Sequence, residues 1–171
     1  FANGAYLGPD EISIHPHRLF DPRIKGKEEQ IEEITKLIAN SRKPIFYIGG
    51  GCVNSGPKAS KLVREFVNLT GIPASMTLMG LGTLPASDPH SLGMLGMHGM
   101  YEANLAMHEC DLMINLGARF DDRVTGRLDA FSPNSKKIHV DIDASSIQKN
   151  IIVDLPIIGD VGLILEQIIA S

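Results

Sequence analysis

The chain has 171 residues, 43% of them hydrophobic and 21% charged, with 16 Lys and Arg against 20 Asp and Glu for a formal net charge of −4. That length fits one domain able to bury a real core, and the mild acidity is the opposite of the clustered Lys and Arg of a nucleic-acid footprint. No apolar run reaches the roughly 18 residues of a membrane span, and Cys52 and Cys110 alone supply neither a disulfide framework nor a zinc spacing, so a reducing, cytoplasmic compartment is the default.

The chain opens on Phe1 rather than methionine, and Phe1-Ala-Asn-Gly-Ala-Tyr-Leu-Gly-Pro9 lacks the basic and apolar regions of a signal peptide. It reads as a linker cut out of something longer. Residues 1 to 26 carry Gly, Pro and His without an apolar period and suit an extended connector. His15-Pro-His17 offers two ligands, too few for a metal site, and is assigned to that linker. The domain proper is expected over 27–171.

Lys27 to Asn40 places Ile31, Ile34, Leu37 and Ile38 at helical spacing with acidic residues early in the run. Pro44-Ile-Phe-Tyr-Ile-Gly-Gly-Gly51 is a short buried strand running into glycines. Gly56-Pro57 opens a second helix, proline being suited to the first helical position; Leu62, Val63, Phe66 and Val67 form its buried face and Gly71 ends it. Pro73 to Leu78 is the second strand. Met79 to Met100 is too long for an ordinary connector and is a candidate binding loop. Tyr101 to Glu109 is helical, Asp111 to Leu116 is the third strand, Lys137 to Asp143 the fourth, Leu155 to Gly159 the fifth, and Val161 to Ala170 an amphipathic helix. Strands alternating with helices predict an α/β fold, a doubly wound parallel sheet in a three-layer α/β/α sandwich.

The most informative stretch is Gly117-Ala-Arg-Phe-Asp-Asp-Arg-Val-Thr-Gly126, where two arginines and two aspartates crowd the carboxyl end of a predicted strand. Ligands of open α/β sheets bind beyond those strand ends, and arginines fit phosphate bidentately and stack on flat rings. An anionic nucleotide-like cofactor follows; a helix-capping loop held by its own ion pairs is the simpler alternative.

Gly49-Gly-Gly-Cys-Val-Asn-Ser-Gly56 lets backbone amides approach a phosphate at a helix start, or is only a tight turn. It is not the GxGxxG fingerprint, because Asn54 stands where the third glycine belongs and no acidic residue ends the second strand, so a Rossmann NAD site is disfavoured. No Walker loop is present either. Thr77-Leu-Met-Gly80 and Leu95-Gly-Met-His-Gly99 suit the flat face of a ring system. His98 is equally a satisfied loop histidine, and Met94, Met97 and Met100 also match a helix face packed in the core. Asp141 and Asp143, with Asp160, can accept from ribose or adenine, or cap helices. Nothing beside these aspartates supplies a Mg²⁺ cage, and no nucleophile elbow or triad is visible. No catalytic residue and no metal ligand is therefore assigned.

The Gly117–Gly126 stretch, with Thr77-Leu-Met-Gly-Leu-Gly82 and Leu95-Gly-Met-His-Gly99, closely resembles the central domain of the acetohydroxyacid synthase (acetolactate synthase) family, over nearly the whole chain from Glu28 onward. The resemblance implies a Rossmann-like domain carrying FAD across the carboxyl ends of its sheet, the flavin taking no part as a redox agent in the overall reaction. Carried over by match, its contacts are Gly49, Gly50, Thr77, Leu78, Met79, Leu95, Gly96, Met97, His98, Gly99, Gly117, Ala118, Arg119, Asp121, Arg123 and Val124. The adenosine end meets Asp141, Ile142, Asp160 and Val161, and Arg18 aligns with a linker arginine that reaches the flavin.

The parent enzyme so implied depends on thiamine diphosphate and Mg²⁺ and joins two pyruvates, or pyruvate and 2-oxobutyrate, with loss of CO₂ on the way to branched-chain amino acids. The resemblance also implies thiamine-binding domains elsewhere in the same chain, a homo-oligomer with a regulatory subunit, and the cytoplasm of a bacterium. The Gly-Asp-Gly motif that holds Mg²⁺ in such enzymes is absent here, so this chain alone is expected to bind a flavin at most and to catalyse nothing by itself. The matching domain of another thiamine enzyme, of the pyruvate oxidase or glyoxylate carboligase type, and a non-catalytic nucleotide-binding or structural module are the alternatives.

Overall fold

Short buried runs of Ile, Leu, Val and Phe make strands too apolar to expose either face, and such strands end up in a sheet covered on both sides. The structure, a computed structural model, describes residues 23–171. Arg18, the His15-Pro-His17 pair and most of the expected linker lie outside the described residues. In chain order the elements are α1 (Glu28–Asn40), β1 (Pro44–Ile48), α2 (Gly50–Asn54), α3 (Pro57–Thr70), β2 (Ala74–Met76), β3 (Ser91–Met94), α4 (Tyr101–Glu109), β4 (Leu112–Leu116), α5 (Asp122–Thr125), β5 (Lys136–Asp141), β6 (Leu155–Ile158) and α6 (Val161–Ala170).

All neighbouring strands pair in parallel, in the order β3-β2-β1-β4-β5-β6. The α/β class and the doubly wound parallel sheet expected from the sequence are what the structure has. Side chains alternate across each strand. Phe46 and Ile48 on β1 join Ile114 and Leu116 on β4 in a core closed by Ile31 and Ile34 of α1, Val63, Phe66 and Val67 of α3, and Ile164, Leu165 and Ile168 of α6. Ile45 and Tyr47 point the other way, into a second core with Met113, Ala103 and Met107 of α4, Leu95, Phe120 and Ile151. Helices on both faces complete three layers.

Three boundaries differ from the sequence reading. A sixth strand, β3, lies inside the expected Met79–Met100 loop; as an edge strand it is only half-buried, and its short Ser-Leu-Gly-Met run shows little apolar signal. The glycine run after β1 forms the five-residue helix α2 before Gly56, at φ 102°, leads into α3. The Met94–Met100 segment is not a helix face: Met94 ends β3, while Met97 and Met100 are exposed.

At the amino-terminal end of the described chain, the Gln167 side chain accepts from the Gly26 amide at 2.9 Å and donates to its carbonyl at 3.1 Å, and the Asp160 amide donates to the Ile24 carbonyl at 3.0 Å. Residues 24–26 are thus laid along the start of α6. In the first core the Phe46 and Phe66 rings meet with centroids 5.1 Å apart. Phe46→Ala is expected to lower the unfolding free energy by about 3–5 kcal/mol, read as a lower urea midpoint at an unchanged slope.

Candidate functional site

The strand order reverses between β1 and β4, and there the chain leaves both strands through glycine. The Gly49 amide donates to the Leu116 carbonyl and the Gly51 amide to the Gly117 carbonyl, each at 2.9 Å. No side chain fits between these loops. A methyl group on Gly49 would stand 2.2 Å from the Gly117 carbonyl oxygen and 2.4 Å from the Ala118 Cα. Gly117 itself has φ 63°, and a methyl group there would lie 2.7 Å from the Gly51 Cα. Backbone therefore meets backbone at the switch point, which opens into a cleft of about 860 Å³. That volume is within the roughly 300–1,000 Å³ of small-molecule and cofactor sites.

Of the residues singled out in the sequence, Gly50, Thr77, Leu78, Met79, Gly117, Ala118, Arg119, Asp121, Arg123, Val124, Asp141, Ile142, Asp160 and Val161 line this cleft. Gly49 lies beneath its floor. Leu78 and Met79, 70% and 74% exposed, offer an apolar lip. The Leu95–Gly99 stretch is not in the lining. Leu95 is buried in the second core, while the Met97 amide donates to the Arg123 carbonyl at 2.9 Å, so this loop braces the arginine segment from outside. Asn104 clamps it, accepting from the Gly96 amide and donating to the Gly96 carbonyl. Met97 and His98 are exposed.

The charged loop proves to be a capped turn as well as a cleft wall. Asp121 accepts from the Arg123 amide at the start of α5, and its Oδ2 lies 3.3 Å from Arg119 Nη2. Arg119 and Arg123 nevertheless line the cleft, so one loop both caps α5 and forms part of the cleft wall. At the far end the wall is acidic. Asp160 caps α6 through the Leu163 amide and accepts the Ser55 hydroxyl at 2.8 and 2.9 Å. Asp141 accepts from the Asp143 amide. The Ser145 hydroxyl and amide, with the Ser146 hydroxyl, hold the Asp143 carboxyl below the usual carboxylate range.

Gly51, Val53, Asn54 and Ser55 of the Gly49–Gly56 run and Asp143 line the cleft too, while sequence reasoning missed Arg23, Tyr47 and Ser146. Below the floor, Cys52 donates to the Leu116 carbonyl at 3.2 Å; burial pushes its thiol up to about 12, so it acts as a neutral donor at ordinary pH. His139 is fully buried with its Nε2 3.6 Å from Asp141 Oδ2, and neither ring nitrogen has a hydrogen-bond partner among the described residues. No group of three or more His, Cys, Asp or Glu side chains able to hold a metal occurs among the described residues.

Along the strand order, apolar Leu78 and Met79 thus stand beyond β2, the guanidinium groups beyond β4, and carboxylates that accept from hydroxyl or amino groups beyond β5 and β6. An elongated guest with a central anion, a neutral hydroxylated end and a flat apolar end matches that order.

The profile of the family described as thiamine pyrophosphate enzyme, central domain, matches residues 31–168. The chain is 43% identical over 162 residues to the acetolactate synthase large subunit of Haemophilus influenzae, covering 95% of this chain and 27% of that protein. It is 48% identical over 151 residues to the acetolactate synthase of Mycobacterium bovis, covering 88% of this chain and 24% of that protein. The isozyme 3 large subunit of Escherichia coli is 40% identical over 164 residues, 96% of this chain and 28% of that protein. The chain therefore spans about a quarter of the length of the curated relatives it matches.

Since the switch point admits no Cβ at Gly49, Gly49→Ala is expected to destabilise the chain by about 1–3 kcal/mol or more through overpacking. A melting temperature equal to that of the parent chain would contradict the packing described.

Proposed function

Because the chain belongs to the thiamine pyrophosphate enzyme central-domain family, we propose that it is the FAD-holding central domain of an acetolactate synthase large subunit. The observation that carries the reading is the convergence of glycine-lined strand ends and two arginines in one cleft at the reversal of strand order. Backbone amides at a glycine turn approach a pyrophosphate without steric hindrance, and Arg119 and Arg123 add charge-assisted contacts.

On this reading the phosphates lie over Gly49 and Gly50, facing Arg119 and Arg123. Thr77, Leu78 and Met79 receive the ring system, with Leu95 to Gly99 bracing that wall. Asp141, Ile142, Asp160 and Val161 take the adenosine end, where the carboxylates accept from ribose and adenine. The apolar side chains beyond β2 and the carboxylates beyond β5 and β6 favour this direction over its reverse, which would set the hydroxylated adenosine end against Leu78 and Met79 and the flat ring system against Asp141 and Asp160.

The whole protein would then join two pyruvates, or pyruvate and 2-oxobutyrate, with release of CO₂ in branched-chain amino acid biosynthesis. Thiamine diphosphate and Mg²⁺ would be held by other domains of the same polypeptide, in a cytoplasmic homo-oligomer with a regulatory subunit. This domain contributes no catalytic group. Its residues bind and orient the flavin. No helix among the described residues is long and apolar enough to cross a membrane.

Titration with FAD, followed by flavin fluorescence and melting temperature, tests the reading on the chain and on the full-length protein that contains it. Saturable binding with a raised melting point is expected, and Arg119→Ala should weaken it by about 1.5–3 kcal/mol. Failure of both forms to bind FAD would overturn the assignment; unchanged affinity in Arg119→Ala would remove that arginine's role.

A further inference from the structure

Among the polar side chains that interrupt the second apolar face of the sheet, three on adjacent strands are fully buried: Tyr47 on β1, Asn115 on β4 and His139 on β5. Register sets them side by side, Tyr47 opposite Asn115 and Asn115 opposite His139. Burying a polar group is unfavourable unless it is hydrogen-bonded, and two of the three direct their bonds to one short piece of backbone. The Tyr47 hydroxyl donates to the Arg119 carbonyl at 3.1 Å. Asn115 Nδ2 donates to the Ala118 carbonyl at 2.7 Å, and its Oδ1 accepts the Ala118 amide at 3.0 Å.

The next residue is fixed as well. The Phe120 ring meets Tyr47 at 5.6 Å and His139 at 5.1 Å, and the Phe120 carbonyl accepts from Asn150 Nδ2. Burial raises the Tyr47 phenol, the Asp121 charge adds to that and Arg119 opposes it, so the hydroxyl remains a protonated donor.

Ala118 to Phe120 is the segment from which the Arg119 side chain projects, 74% exposed, with Asp121 as its ion-pair partner at 3.3 Å. An exposed surface pair of this kind fixes a long side chain weakly. The buried bonds fix the backbone beneath it. We propose that Tyr47, which also lines the cleft, and Asn115 are positioning residues, which hold the Ala118–Arg119 backbone and so aim the Arg119 guanidinium into the cleft. Neither touches the guanidinium itself. The consequence for cofactor affinity rests on the FAD reading; the consequence for the backbone does not.

Tyr47→Phe removes one oxygen and keeps the ring between its neighbours, so the variant is expected to fold. Its amide hydrogen exchange should quicken at residues 118–121 while β1, β4 and β5 stay protected and the melting temperature stays close to that of the parent. Asn115→Ala should quicken the same amides further. FAD affinity should fall about three- to tenfold in Tyr47→Phe, and the fall should vanish when Arg119 is already alanine, as coupling through one residue requires. Exchange unchanged at 118–121, or quickened throughout the sheet, would overturn the positioning role. So would a loss of affinity that is fully additive with Arg119→Ala. A full-length protein that binds no FAD would remove the cofactor reading alone, since the exchange pattern decides the positioning role without a ligand.

Discussion

The close approach of two backbone loops at the centre of the sheet governs the rest of this structure. Gly49, Gly51 and Gly117 let the segments leaving β1 and β4 touch main chain to main chain, and Gly80 brings a third segment in the same way: a methyl group on it would lie 2.5 Å from the Ile48 carbonyl oxygen. Side chains excluded from this junction leave a floor made of amides and carbonyls. Their mutual bonds, Gly49 to Leu116, Gly51 to Gly117 and Thr77 to Ile48, keep that floor rigid. A cleft over such a floor can admit a phosphate closely, which bulkier residues would keep at a distance.

Charge is distributed to suit. Arg119 and Arg123 stand beyond β4, whereas Asp141, Asp143 and Asp160 stand beyond β5 and β6. Most of these groups also perform local structural work, Asp121, Asp143 and Asp160 each accepting a backbone amide at a helix start. Capping orients each carboxylate, while the Arg119 side chain reaches out, largely exposed, beside Asp121. Support for the arginine segment comes from Tyr47 and Asn115, which satisfy their own buried polar atoms on the adjacent carbonyls of Arg119 and Ala118.

Much of this was legible in the residues. The apolar runs at 44–48 and 112–116 are continuous and buried on both faces, and they were read as buried strands. The arginine–aspartate cluster after Leu116 was readable because charge directly after a buried strand has few places to go except the sheet's carboxyl edge. Other features left weaker marks. Glycine-rich Gly50–Asn54 has poor helix propensity and is helical because tertiary bonds to Gly117 override it. Ser91–Met94 is a half-buried edge strand whose glycine weakens its pattern. The Leu95–Gly99 loop, singled out for a flat ring system, is outside the cleft lining and is bonded through the Met97 amide to the Arg123 carbonyl. Tyr47, Asn115 and His139 sit inside apolar strand runs, where a polar residue is itself the signal, because such a group needs a partner.

Backbone amide resonances recorded with and without saturating FAD, on the full-length protein if the domain alone does not saturate, test the central claim most directly. The account predicts the largest shifts at Gly49 to Gly51 and Gly117 to Arg119, with smaller ones at Ile142 and Val161. Shifts centred on the opposite end of the sheet, or none at saturating flavin, would contradict it.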